Sequence, residues 1–153
     1  MTTGPQKDAL DRYRDAFNTS NTLQHFGLRL DFPDGERVVV HLDPIRPEQR
    51  GGLGTNAVNG AVLAAMFDLV IGCTGALVDP TRRVATIQLS MQFERPATGD
   101  RLRAESRIER IAQNVLFASA QMFDGTDMVC ARAQGIVARS DKPWLKGDGP
   151  ALV

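Results

Sequence analysis

Between Arg50 and Asp79 the chain carries one charged side chain, Asp68, in a stretch otherwise rich in Ala, Gly, Val and Leu. Val62, Met66 and then Leu69 or Val70 recur at helical spacing over Asn59 to Leu77. Gly72 and Gly75 weaken the end of that helix, and Pro80 stops it. A helix with almost no polar face must be covered on nearly all sides. A membrane span needs about 20 predominantly apolar residues. The central acid, with Asn56 and Asn59 ahead of it, instead predicts a helix buried inside a soluble protein. A buried carboxylate is costly unless paired or hydrogen-bonded, and it holds its proton more tightly, which suits general-base work. Asp68 is therefore expected to be a buried functional acid. The plainer alternative places it at an edge, in solvent or capping a neighbouring backbone.

The rest of the chain supplies the cover. Leu10, Tyr13 and Phe17 form one apolar stripe on a charged helix over residues 6–18. Residues 26–32 and 37–43 alternate around Pro33-Asp34-Gly35, which predicts a hairpin. An irregular stretch, Pro44 to Asn56, leads to the apolar helix. After it the period becomes two. In 86–94, Ile87, Leu89, Met91 and Phe93 take one face, and Thr86, Gln88, Ser90, Gln92 and Glu94 the other. Further strands are predicted over 101–110, 114–123 and 128–138, with turns at 95–100 and 124–127. The tail from Ser140, rich in Pro and Gly, is expected to be loose. The expected fold class is α+β: an N-terminal helix (1–20), a curved antiparallel sheet wrapped round one long helix (21–139), and a tail (140–153). Uncovered helix surface and sheet edges predict contacts between copies.

Eighteen basic residues balance eighteen acidic ones, so no overall field draws the chain to nucleic acid or to an anionic membrane. Cys73 and Cys130 match no metal-ligand spacing and lie in apolar stretches, as buried reduced thiols do. Met1 to Asp15 is polar, without a secretory core, so a cytoplasmic location is expected. No metal site is expected.

Three further features could carry chemistry. Asn59 is a good N-cap directly before Gly60 and Ala61, and amides at a helix N-terminus can hold an anion or a developing oxyanion. Thr86, at the start of the next strand, could orient a water or be an edge residue. Arg82 and Arg83 precede that strand and could meet a phosphate or simply be solvated. His25 and His41 pair with no nucleophile nearby in sequence. No nucleophile elbow, phosphate loop or dinucleotide fingerprint is present.

Together these residues resemble the PaaI-like branch of the hotdog-fold thioesterases. In that family a His-Gly-Gly opens the central helix and an acid follows nine residues after the His; here Asn59-Gly60-Ala61 stands at that place and Asp68 lies nine residues after Asn59. The family's next strand begins with Ser or Thr and ends in an aromatic followed by Pro; here Thr86 begins it, Phe93-Glu94-Arg95-Pro96 ends it, and Ala97-Thr98-Gly99-Asp100 follows. The resemblance covers roughly residues 20–138. It implies an acyl-CoA thioesterase with no cofactor beyond the CoA of its substrate. Asp68 would be nucleophile or general base, the Gly60 N–H would polarise the thioester carbonyl, and Thr86 would hold the water. Asn59, in place of the family's His, would position the thioester or cap the helix. Asn56 is the candidate for the family's loop Asn, and Arg82 and Arg83 for phosphate contacts. An apolar groove lined by Met66, Phe67, Met91 or Phe93 would take an aryl or aliphatic acyl group. The site would form at a dimer interface, with dimers pairing into tetramers. The alternative is an acyl-ligand binding protein without turnover. A hydratase is disfavoured, because no Asp-His hydration pair is present.

Overall fold

The computed structural model describes residues 4–146 and 149–150. The chain runs α1 (Gly4–Asn18), α2 (Asn21–Phe26), β1 (Leu28–Asp31), β2 (Val38–Leu42), a single 3-10 turn (Pro47–Gln49), α3 (Gly60–Gly72), α4 (Thr74–Val78), β3 (Arg82–Phe93), β4 (Leu102–Ala112), β5 (Val115–Phe123) and β6 (Val129–Pro143). A short pairing of β7 (Leu145–Lys146) with β8 (Gly149–Pro150) follows. The six long strands form one sheet in the order β1-β2-β4-β5-β6-β3, and every pairing is antiparallel.

The sheet wraps α3, as the apolar segment requires. Leu63, Met66, Phe67, Val70 and Ile71 point into a core closed by Val38, Val40, Leu42, Leu102, Ala104, Leu116, Met122, Ala131 and Val137. By length and composition Gly60–Val78 could cross a bilayer, yet it is the core helix of this fold. Close approach depends on small residues. A Cβ on Gly135 of β6 would lie 2.7 Å from Ile71 Cγ2 and 2.9 Å from the Gln88 carbonyl oxygen. Ser106, buried on β4, donates its hydroxyl to the Val70 carbonyl at 2.5 Å and ties the helix to the sheet.

The central helix spans Gly60–Val78 as expected, with one interruption at Cys73, between the glycines that weaken its end, where the Thr74 hydroxyl donates to the Ile71 carbonyl at 2.6 Å and α4 begins. Several expectations need correction. Arg82 and Arg83 do not precede the strand but belong to it, because β3 begins at Arg82. The alternation predicted for residues 86–94 fails at its start. Thr86 pairs with Val137 and Gln88 with Ile136, so Ile87 is the extra residue of a bulge and is 60% exposed. The bulge moves Thr86 to the helix side of the strand, in phase with Leu89 and Met91. The start of the tail is not loose: β6 runs to Pro143. The buried Trp144 donates its indole N–H to the Pro80 carbonyl at 2.5 Å and packs edge-on against Tyr13 of α1. Residues 1–3, 147, 148 and 151–153, at the two ends of the predicted organisation, lie outside the described residues.

Gly135→Ala is predicted to destabilise the fold by about 2 kcal/mol, because Ile71 and the Gln88 carbonyl leave no space for a methyl group. A lowered urea midpoint with unchanged slope would confirm it; an unchanged midpoint would contradict the close packing.

Candidate functional site

The N-terminus of α3 is built by one side chain. Asn59 has extended backbone, and its Oδ1 accepts from the Ala61 N–H at 2.9 Å. Its Nδ2 donates to the Gly51 carbonyl at 2.7 Å, which clamps the preceding loop to the helix. The loop is closed by Gly51 N–H on the Ala57 carbonyl at 2.8 Å and by Arg50, whose guanidinium donates to the carbonyls of Asn56 and Gly99. The Asn59 carbonyl accepts from the N–H groups of Val62 and Leu63. Of the first four amides of α3, three are thus satisfied by Asn59. The fourth, that of Gly60, has no acceptor among the described residues. Gly60 is exposed, and a Cβ there would lie 3.8 Å from the Phe93 ring.

Asp68 is exposed on the single chain, so the expected burial is corrected for an isolated protomer. It forms no ion pair or hydrogen bond among the described residues. The reason is the helix face on which it sits. At 100° per residue, Ala61, Ala64, Ala65, Asp68 and Gly72 fall in one stripe. Ala61 and Asp68 are exposed and Ala64 and Ala65 half-buried, whereas Gly72 is covered by β3. The sheet covers the opposite side of α3 and leaves this stripe open.

Thr86 lies against the same stripe. A Cβ on Gly72 would come within 2.9 Å of its hydroxyl oxygen. Gly72 is one helical turn, about 6 Å, from Asp68. Thr86 therefore sits beside Gly72 and Phe93 beside Gly60, so β3 runs back along α3. Leu89 and Met91 lie half-buried between them. Phe93 is 52% exposed, an apolar wall at the helix tip. Sequence reasoning missed the part played by Gly72; its place one turn after Asp68 was the available signal.

The other candidates divide. Met66 and Phe67 are fully buried in the protomer core, so they line no open groove; this corrects the expectation. Arg82 is tied to Asp79 at 3.4 Å and to the Asp141 carbonyl. Arg83 is half-buried with no acceptor among the described residues. Asn56 is exposed, and its carbonyl is held by Arg50. Both cysteines are free and buried, and burial pushes the Cys73 thiol up to about 12 and the Cys130 thiol to about 11, outside any nucleophilic range at neutral pH.

With this geometry in view, the comparisons with known proteins are decisive for the family. The model of the thioesterase superfamily matches residues 55–131, half of the chain, including the Asn59 cap, α3 and β3. The chain belongs to the thioesterase superfamily. A candidate esterase of Thermoplasma volcanium is 22% identical over 79 residues, which are 52% of this chain and 59% of that protein. The match thus spans less than two thirds of that relative's length. Among solved structures, a Shewanella oneidensis protein related to the thioesterase superfamily superposes with a TM-score of 0.79 at 17% identity, covering 91% of this chain and 100% of that one. The E. coli PaaI protein of the phenylacetic acid degradation operon superposes with a TM-score of 0.76 at 14% identity, covering 90% and 97%. A thioesterase of Haemophilus influenzae gives 0.72 at 12% identity, covering 92% of each chain. These likenesses carry the hotdog fold of the superfamily.

Asn59→Ala is predicted to cost about 1 kcal/mol of stability through loss of the cap. Asn59→Asp should recover most of it, since a carboxylate also caps, but should loosen the loop that Nδ2 holds. Denaturation midpoints of the two variants, with proteolysis of the 51–57 loop, check both parts.

Proposed function

We propose that the protein is an acyl-CoA thioesterase of the PaaI-like type, acting in the cytoplasm as a dimer or a pair of dimers. Asp68 of one subunit and the Gly60 N–H of its partner would work on the same thioester. The observation that carries this reading is the separation, on one helix, of two groups that have no partner among the described residues. Asp68 and Gly60 are eight residues apart, hence about 12 Å along the axis and about 80° around it. A base, its water and an oxyanion donor gathered at one carbonyl span on the order of 8 Å. The separation along one helix exceeds that span, which supports a site shared between two protomers.

A second copy can. β3 is a 12-residue edge strand paired on one side only, and it carries the exposed Ile87 and Phe93. Such edges need cover. Antiparallel pairing of β3 with its own copy about a two-fold axis near Leu89–Met91 sets the two α3 helices side by side and opposed. Asp68 then faces the partner's helix tip, and the open alanine stripe is covered. The acyl group would lie along Phe93, Met91 and the small residues of α3. Arg83, half-buried on β3 with no acceptor among the described residues, is placed to meet a phosphate of CoA.

In the reaction, Asp68 takes a proton from a water held by Thr86, and the hydroxide attacks the thioester carbon. The negative charge passes to the carbonyl oxygen, where the Gly60 N–H receives it. Collapse breaks the C–S bond, and the CoA thiolate leaves and takes up a proton. In the alternative route the Asp68 carboxylate attacks directly, and water hydrolyses the resulting anhydride. Both routes consume one water and release an acid and CoA. The side chain of Asn59 is engaged in the cap and the clamp, and Asn59 itself offers no protonatable group at the helix tip. That observation favours the second reading, acyl-ligand binding without turnover.

Two variants separate these readings. Asp68→Asn should lower kcat at least 10²-fold with the fold intact. Gly60→Pro should also lower it, by about 10²- to 10³-fold, because it deletes one donor at the helix position that best tolerates Pro. The Asn59 backbone, at φ −61° and ψ 138°, already suits a residue before Pro. Turnover of an aryl- and an aliphatic-CoA panel is the measurement. Wild-type rates in either variant would overturn the mechanism, and tight binding without turnover in the wild type would establish the second reading.

A further inference from the structure

The face of the sheet turned away from α3 carries a row of nitrogen-bearing side chains that the thioesterase reading does not use. Arg29 on β1 is opposite His41 on β2, and His41 is opposite Arg103 on β4. Adjacent strands lie about 4.8 Å apart, so the two arginines start about 10 Å apart with the imidazole between them. Like charges aligned across strands destabilise a sheet, and this row contains no acid. With Arg101, Asp43, Asp124 and Asp127, these side chains line a cleft of about 360 Å³.

The acids of the cleft are largely engaged elsewhere. Asp124 is buried and accepts from the Thr126 N–H and hydroxyl, the Met128 N–H and the Arg95 guanidinium. Asp127 is taken by Arg103 at 2.9 Å, and Arg103 also pairs with Glu105 at 2.7 Å. Arg29 and Arg101 are exposed with no acceptor among the described residues, and the half-buried His41 makes no hydrogen bond there. Among the described residues, Arg29, Arg101 and Asp43 are the charged groups lining the cleft that are left without a partner, beside the His41 imidazole; Arg103 is shared between Asp127 and Glu105, and Asp31 lies close enough to act on His41.

We propose that this cleft binds a phosphate-bearing ligand, with Arg29 and Arg101 gripping its oxygens and His41 at its floor. Guanidinium groups match phosphate oxygens in geometry and charge. The ligand is either the diphosphate of a CoA molecule or that of another phosphorylated metabolite. The site lies on the sheet face opposite α3 and does not depend on the thioesterase mechanism.

His41 reports on it directly. Burial first, then Arg29 and Arg103, hold its pKa below the usual value, while Asp31 and Asp43 act the other way. An anion in the cleft favours the imidazolium, so binding should take up a proton and tighten as pH falls. The chain has two histidines, and His25 serves as the internal reference. Imidazole signals of the full chain are followed by NMR during titration with sodium pyrophosphate at matched ionic strength. His41 should move saturably, with its pKa raised by about one unit or more, while His25 stays put. An Arg29→Gln, Arg101→Gln double variant should bind at least tenfold more weakly. If His41 moves no more than His25, or if the double variant binds as the wild type does, the site does not exist. A parallel titration with CoA identifies the source. Saturation at lower concentration than pyrophosphate assigns the cleft to the coenzyme's phosphates, and saturation by pyrophosphate alone assigns it to a free phosphorylated metabolite.

Discussion

The close packing of α3 into the sheet governs the rest of the molecule. Gly135 admits Ile71 to the sheet surface, Ser106 grips the Val70 carbonyl, and Gly72 makes room for Thr86. Such packing covers the large side chains of the helix completely. It also determines what stays uncovered: the stripe of Ala61, Ala64, Ala65 and Asp68. An apolar helix open along one side in water is incomplete, and so is a long edge strand with apolar side chains. In this chain the open stripe and the open edge run alongside each other, so one partner can cover both.

The Asn59 cap adds the second constraint. By accepting or donating at each of its polar groups, Asn59 organises both the loop behind it and the first turn ahead of it. What it leaves over is a single amide, that of Gly60, beside an aromatic wall. The helix tip is thereby rigid before any ligand arrives, which is the condition under which an oxyanion donor is effective. The position of Asn59 is thus occupied by a structural task, capping the helix and clamping the loop, that Asn performs well.

Much of this was legible in the residues. The change from helical to two-residue period after Pro80 marked the architecture, and the nearly uncharged run between Arg50 and Asp79 marked the central helix. Four things were not legible. The bulge at Ile87 reverses the facing of Thr86, and nothing in an alternating pattern announces an extra residue. The exposure of Asp68 depends on which side of α3 the sheet leaves open, and a helix apolar all round gives no sign of it. Trp144 lay in a segment whose Pro and Gly suggested a loose tail, yet one indole N–H on the Pro80 carbonyl and an aromatic contact with Tyr13 hold it. The row of Arg29, His41 and Arg103 was equally hidden, because it exists only in the register of three strands.

The central claim is that the base and the oxyanion donor of each active site come from different subunits. Mixing Asp68→Asn and Gly60→Pro subunits after partial denaturation tests it directly. In a mixed dimer one site would combine the intact Asp68 of one subunit with the intact Gly60 of the other, and the second site would hold both defects. Random pairing of equal amounts should restore about a quarter of wild-type turnover from two inactive proteins. A mixture no more active than its parents would contradict the claim and place both groups within a single protomer's site.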